Sequence, residues 1–477
     1  MKNKPVRIII SIYTLFLFLI NFFRIFDSNF WGDEGFTIRL SRMSVRDMLI
    51  ATARDVHPPL YYLGAIAGYK LFGDQGWMYH LLSLIPYAVI LIIALTVIYD
   101  EFGETAALLF VTFASILKSS FRYNVEARMY SLAALFILLA FLEFRRMTGD
   151  GKTGGEKRGS HILFTLFSLC AAYTHYYAMI SVAVFYGALL ILAICKRESF
   201  KNVLMIYIAT VLGYLPWLSM MITTFERTAD SFWMTEYDGI FKSLCYLFDT
   251  DLWQLSMLLF IVTLGLLFFF IYADLKGSGG DTGRLSGQTV WYITGISSAI
   301  VTIAAGQLIS VFIRPSYITR YVYPISIVVW LILSIEVSRI SKPKLSVISV
   351  SVLMVFLCGI CGLSALRQTL GDYSANRECI RTWDEMRTMV GSGDIIITDI
   401  DHMSWTLLDY YIPDNEHVLD DSNTFVPETG RKYWFLTSGI LDENDISWLE
   451  QNDMTYELKI DSGILGTTDI FLYELIP

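Results

Sequence analysis

The sequence predicts an α-helical polytopic membrane protein with a small C-terminal soluble α/β domain, and three observations carry that expectation. The 477-residue chain is 55% hydrophobic and only 17% charged, where a soluble domain carries about a quarter charged residues. Its apolar residues gather in runs of roughly 17–23, the length that crosses about 30 Å of hydrocarbon. The net charge of −9 comes largely from the tail, where the apolar runs stop and short strand-like and helix-like segments alternate.

About eleven spans are expected, near 8–26, 78–98, 105–121, 129–144, 162–178, 179–195, 203–222, 252–273, 290–312, 321–338 and 346–365. The first is followed directly by a carboxylate cluster and lacks a small-residue cleavage site, so it reads as an anchor rather than a signal peptide. Lys2, Lys4 and Arg7 precede it. Arg145, Arg146, Lys152, Lys157 and Arg158 follow the fourth span, Lys196, Arg197 and Lys201 the sixth, Lys276 and Arg284 the eighth, and Arg339, Lys342 and Lys344 the tenth. With eleven spans all of these loops share one side, which the positive-inside rule makes cytoplasmic. The loop at 27–77, the segments 122–128, 223–250 and 313–320, and the tail then lie outside. Arg39, Arg42, Arg46 and Arg54 run against the rule; a functional role for basic residues near the membrane surface, or an amphipathic helix lying on it such as one over Ser41–Arg54, would explain the exception. The transmembrane domain is set at 1–366 and an extracytoplasmic α/β domain at 367–477. In the latter, strands are expected at 394–398, 432–436 and 469–472, with helices at 379–390, 403–411 and 443–451.

The first outer loop carries Trp31-Gly32-Asp33-Glu34-Gly35 and then Asp55-Val56-His57-Pro58-Pro59-Leu60-Tyr61-Tyr62. Carboxylates beside lipid are costly unless they face water or do chemistry. Pro58 and Pro59 suit the first turn of a following helix, with His57 at its cap. On the same side the topology places Glu126 and Arg128, His175 with Tyr176 and Tyr177, and Arg320 with Tyr321. Four polar groups from distant parts of the chain thus share one membrane face, which marks an active site. Taken singly, the tyrosines also fit interfacial belts, the arginines fit snorkelling side chains, and His175 fits ordinary packing. Asp33, Glu34, His57 and His175, with Asp55 beside them, hold the atom types of a divalent-metal site, but their spacing does not establish one. The six cysteines show no framework; Cys358 and Cys361 fall inside an apolar span and read as small packing residues. Nothing basic and clustered points to nucleic acid.

The acidic pair after the first span, the D-x-HPPLYY segment, the EARMY segment at Glu126–Tyr130 and the outer Arg320-Tyr321 together resemble the polyprenyl-phosphate-dependent membrane glycosyltransferases of the GT-C class. The similarity is to the branch of protein O-mannosyltransferases and aminoarabinose transferases, and it covers roughly residues 1–365. It implies a helical bundle with interfacial helices in the first outer loop, and transfer of a sugar from a lipid-phosphate carrier to an acceptor on the outer face. The family's acidic pair falls on Asp33 and Glu34, its HPP histidine on His57 and its EAR arginine on Arg128. Where eukaryotic mannosyltransferases continue HPPLGK, this chain has Leu60-Tyr61-Tyr62, which favours the prokaryotic branch.

The residues fit that chemistry by themselves. A lipid phosphosugar carries its own leaving group, so no nucleotide motif is needed. Asp33 is the expected base, with Glu34 as partner or substitute. Arg128, Arg320 and His57 are expected at the donor phosphate, because guanidinium matches phosphate in a bidentate fork. Asp55, Tyr61, Tyr62, Glu126, His175 and Tyr321 are expected around sugar or acceptor. A single inverting displacement is implied, partly by the resemblance. The competing class is a lipid-linked sugar transporter or flippase; transporters bind near the midplane and often contain internal repeats, neither of which is visible in this sequence.

Overall fold

A computed structural model describes residues 4–26, 29–148, 154–195, 197–227, 236–277, 285–340, 350, 353–354, 357–400, 406–420, 423–428, 430–465 and 468–476. They fall into two compact units. The first comprises 1–23, 46–61 and 81–366, the second 24–45, 62–80 and 367–477.

In chain order the helices are α1 (Lys4–Arg24), α2 (Gly32–Arg42), α3 (Val45–Arg54), α4 (Leu60–Phe72), α5 (Gly76–Ile93), α6 (Tyr99–Phe102), α7 (Glu104–Ile116), α8 (Lys118–Tyr123), α9 (Tyr130–Thr148), α10 (Gly154–Thr174), α11 (Tyr176–Ile194), α12 (Phe200–Arg227), α13 (Ile240–Tyr246), α14 (Trp253–Gly277), α15 (Gly287–Phe312), α16 (Tyr323–Ser338) and α17 (Gly362–Met389). Among the described residues seven helices are long and apolar enough to cross a membrane, and two shorter apolar helices, Glu104–Ile116 and Gly159–Thr174, accompany them. The first ten predicted spans fall on α1, α5, α7, α9, α10, α11, α12, α14, α15 and α16. The eleventh, 346–365, lies largely outside the described residues. The predicted joint at 178/179 lies a few residues too late, because the chain breaks at His175, between the end of α10 and the start of α11.

Helix α16 is the core of the first unit, with 94% of its apolar window buried against 22% for α1. On α1 the side chains of Ile8, Ile9, Ile12 and Phe16 are exposed. Leaving one such side chain in water forgoes about 1.5–3 kcal/mol, so a surface made of them calls for hydrocarbon as solvent. Inside the bundle, small polar residues bond between helices. Ser298 Oγ donates to the Ser181 carbonyl at 2.7 Å and Thr302 meets Ser181 at 2.8 Å. The buried indoles are satisfied too: Trp291 donates to the Phe141 carbonyl and Trp330 to the Leu247 carbonyl.

The second unit holds a five-stranded sheet of order β2-β1-β3-β5-β4, built from β1 (Ile395–Thr398), β2 (Glu416–Leu419), β3 (Tyr433–Thr437), β4 (Thr455–Leu465) and β5 (Thr468–Ile476). Strand β1 runs parallel to β2 and β3, pairing Ile395 with Glu416 on one side and with Tyr433 on the other. Strand β5 is antiparallel to both β3 and β4. The central strands are buried along their whole length, as parallel strands covered on both faces should be. Ile395, Ile397, Tyr433, Phe435, Trp448 and Leu475 meet in one core. Helices α18 (Leu408–Tyr411) and α19 (Glu443–Gln451) complete the unit. Asp442 caps α19 by accepting from the Asn444 and Asp445 amides, and Asp445 reaches back to the Asp442 amide at 2.9 Å, a reciprocal capping box. The soluble α/β part is therefore present as expected. The helix expected at 379–390 is the end of the longer α17, and strands β2 and β4 were not anticipated. Of the helix expected at 403–411, the described part is the π-turn at 406–407 and α18.

Candidate active site

The first outer loop is more broken than expected. Instead of one helix over 41–54, α2 ends at Arg42 and α3 begins at Val45. Helix α4 starts at Leu60, after Pro58 and Pro59, so His57 lies in the turn ahead of the helix rather than at its cap.

Within the first unit, that turn joins a cluster of imidazoles and guanidinium. Asp55 Oδ2 lies 2.8 Å from His57 Nδ1, and Arg128 Nη2 lies 3.4 Å from His57 Nε2. Arginine has only donors, so His57 Nε2 accepts and the ring proton sits on Nδ1, where it is donated to Asp55. Burial alone raises an aspartic acid's pKa. Here the neighbouring His57, the Val56 amide and Arg128 outweigh burial and hold the Asp55 carboxyl below its ordinary value. The Arg128 side chain is 2% exposed. Its loop is pinned from several sides. Ser83 Oγ donates to the carbonyls of Glu126 (2.5 Å) and Arg128 (2.9 Å). Asn124 donates to the Ala114 carbonyl and accepts from Tyr323 Oη. Glu126 is paired with Arg122 on the preceding turn.

His175 completes the cluster, its ring centroid 6.1 Å from that of His57. It caps α11, with Nδ1 accepting from the Tyr177 amide at 3.1 Å. That bond assigns the proton of the neutral ring to Nε2, which is buried with no hydrogen-bond partner among the described residues. Burial, and then the neighbouring His57, Arg128 and Arg320, hold His175 well below the ordinary imidazole pKa, so it stays neutral at physiological pH. Tyr130, Tyr177 and Tyr321 pack round its ring at 5.7, 6.0 and 5.0 Å between centroids. Tyr61 is also buried in this unit. The cluster can therefore offer guanidinium donors and one imidazole N–H to an anion without burying a second anion of its own beside His175.

Asp33, Glu34 and Tyr62 belong to the second unit. Asp33 and Glu34 occupy the first turn of α2, where the helix dipole favours carboxylates. Asp33 is half-buried and Glu34 is buried. Glu34 accepts from the Trp31 amide at 3.4 Å and lies 3.6 Å from His80 Nδ1. The His80 ring stacks on Phe30 at 5.0 Å. Farther along α2, Arg42 bonds Asp74, which also accepts from Tyr79 Oη at 2.5 Å. Tyr62 meets Phe36 edge-on at 5.9 Å. His80, Asp74 and Arg122 were not among the expected site residues. His80 is a lone histidine at the head of an apolar helix, and its partner lies far away in sequence, so no local pattern marks it. Among the described residues no group of three or more His, Cys, Asp or Glu side chains is placed to hold a metal ion.

No family model matches the chain, and neither does any curated protein sequence. The fold does match. ArnT from Cupriavidus metallidurans in the apo state aligns with a TM-score of 0.63 at 11% identity, covering 97% of both chains. The same protein bound to undecaprenyl phosphate aligns with a TM-score of 0.62, again at 11% identity and 97% of both chains. The chain thus shares this fold over essentially its whole length; the motifs implied the helical bundle, and the segment pattern of the tail the small α/β domain.

Proposed function

We propose that this chain is a membrane glycosyltransferase that moves a sugar from a polyprenyl-phosphate carrier to an acceptor on the extracytoplasmic face. The observation that carries the reading is the buried cluster of Arg128, His57 and His175, with its unpaired imidazole N–H, a site suited to one phosphate. The similarity in fold to ArnT, solved with undecaprenyl phosphate bound, supports a polyprenyl-phosphate donor.

The reaction is a single displacement at the anomeric carbon. Asp33 takes the proton from an acceptor hydroxyl or amine, and the freed electron pair attacks C1 of the sugar. The bond between C1 and the phosphate oxygen breaks, and the carrier leaves as polyprenyl phosphate with inverted configuration at the transferred sugar. Arg128 and Arg320 hold the charge that develops on the leaving oxygen, and His175 Nε2–H donates to it. His57 fixes the Arg128 fork while Asp55 fixes His57. The acceptor is a protein, lipid or envelope glycan bearing a nucleophilic hydroxyl or amine. The Lys and Arg distribution supports an N-terminus in the cytoplasm and an α/β domain outside.

Purified protein incubated with radiolabelled polyprenyl-phosphate sugars tests the reading, with Asp33→Asn and Arg128→Ala alongside. Transfer by the wild type that both variants lose is the expected result. A wild type that transfers none of the donors, or a fully active Asp33→Asn, defeats it.

A further inference from the structure

The helix that carries the acidic pair is built into the same unit as the C-terminal domain, and that domain holds it at several points. Before the helix, Asn29 Nδ2 donates to Asn376 Oδ1 at 2.8 Å, and the Cys379 thiol donates to Asn29 Oδ1. Both partners lie on α17. The Phe30 amide donates to Tyr411 Oη at 3.0 Å. The Tyr411 ring in turn stacks on Trp383 of α17 at 4.3 Å, and its carbonyl accepts from Arg387. The Phe30 ring meets Tyr410 edge-on at 5.3 Å. At the far end of α2, Arg42 donates to the Asp409 carbonyl at 2.9 Å and lies over the Tyr410 ring.

Between these anchors lies Gly35, next to the acidic pair. A Cβ placed there would stand 2.7 Å from Thr406 Cβ and 3.1 Å from Leu407 Cδ2. The first distance is closer than any real Cβ contact, and Thr406 Cβ is attached directly to the backbone, so no rotamer relieves it. Gly35 is needed for close approach of two backbones, not for an unusual turn, since it lies inside a regular helix.

We propose that the C-terminal domain is a positioning device for Asp33, with Gly35, Thr406 and Tyr411 as the residues that set the register of α2. The proposal rests on the glycosyltransferase reading, in which Asp33 is the base. These residues act through α2 and touch no reacting atom. Displacing the helix moves the base relative to an acceptor proton that must lie within hydrogen-bond reach, so turnover falls while donor binding, assigned to the other unit, persists.

The experiment uses the full chain in detergent and reads kcat, donor KM and amide exchange over residues 32–42 for Gly35→Ala, Thr406→Gly, their combination, and Tyr411→Phe. Gly35→Ala is expected to speed exchange in α2 and lower kcat at least tenfold, with donor KM within twofold of wild type. Adding Thr406→Gly removes the opposing Cβ and is expected to restore protection and recover most of the lost kcat, which a general loss of stability would not do. Tyr411→Phe, a milder change, is expected to speed exchange at the start of α2 and lower kcat at least threefold. The proposal is overturned if Gly35→Ala keeps wild-type kcat, or if the double variant is no more active than the single. Should Gly35→Ala fail to give a monodisperse protein, Tyr411→Phe decides, and wild-type exchange and kcat in that variant overturn the proposal. A wild type that transfers no sugar defeats the glycosyltransferase reading alone. The α2 seat is then judged by exchange, and unchanged protection in Gly35→Ala overturns it.

Discussion

The cationic cluster of the first unit and the acidic helix of the second are built in opposite ways. Arg128 and His175 stand at the ends of long membrane helices, in a loop and a cap that are hydrogen-bonded on several sides. Asp33 stands on an eleven-residue helix that would be marginal alone and is held by side chains of a soluble fold. The bundle fixes its polar groups through burial and backbone bonds, so changing one of them changes the chemistry of the site. The helix is fixed through its seat, so changing a residue that touches no substrate can still move Asp33, the proposed base. On the proposed reaction, the difference predicts that binding of the donor and activation of the acceptor are separable by mutation.

The sharpest way to break that comparison is at the proposed base. Asp33→Asn is expected to lower kcat by about 10²–10⁴, the usual contribution of a general base, with donor KM little changed; a matching rise in KM would place Asp33 at the donor instead. Arg128→Ala should cost about 10²–10³ in kcat, the scale of losing one charge-stabilising donor. Arg128→Lys should recover little of it, because an ammonium lacks the fork that His57 positions.

His175 gives a finer test by isosteres. An asparagine places its oxygen near the position of Nδ1 and keeps the cap of α11, but loses the donor at Nε2. A glutamine reaches the Nε2 position but gives up the cap. His175→Asn should fold like wild type and lose roughly tenfold in kcat/KM, about 1.4 kcal/mol. His175→Gln should keep more activity at a lower melting temperature. The reverse order would make the cap, not the donor, the role of His175.

Two aspartates then contrast in their response to pH. Asp55 has a lowered pKa, so its ionised pairing contributes stability above about pH 4, the unfolded value, and loses it as pH falls through the lower folded value. Asp55→Asn should therefore be less stable than wild type at neutral pH, by about 1.5–3 kcal/mol for a hydrogen bond to a charged group, and the gap should close in acid. Asp249, between α13 and α14, is the opposite case. Burial pushes its pKa up to about 6, so the folded state holds its proton longer and stability falls as pH rises from about 4 to 6. Asp249→Asn should stabilise at pH 7 by about 1–3 kcal/mol. Its backbone φ of 32° is one that asparagine tolerates. Melting curves across pH in detergent check both signs.

What could be read from the sequence divides along the same line. Hydropathy windows found the helices under the first ten expected spans because a bilayer imposes one length on every crossing, although among the described residues only seven are long and apolar enough to cross; one error is at an end, where His175 breaks two apolar helices earlier than composition suggests. The buried strands β1 and β3 were visible as short apolar runs. Strand β2, four residues of Glu-His-Val-Leu at a sheet edge, has no such signal. In β4 the register shifts between Leu458 and Ile460 and between Ile460 and Gly463 interrupt the alternation by which a strand is recognised. Asp33, Glu34, His57 and Arg128 stood out because charged residues are rare beside spans. The Glu34–His80 pair and the Gly35–Thr406 seat depend on residues 46 and 371 positions apart in the chain, and only the folded unit brings them together.

One feature of the cationic cluster bears on turnover rather than on chemistry. The donor is a phosphodiester with one negative charge, whereas the released carrier is a phosphomonoester with about −1.5 to −2 at neutral pH. If the proposed roles hold, Arg128, Arg320 and the fixed His175 N–H grip the spent carrier harder than the loaded one. On the proposed reaction the enzyme is inhibited by its own product, and the rate at which the empty carrier escapes into the bilayer limits the cycle.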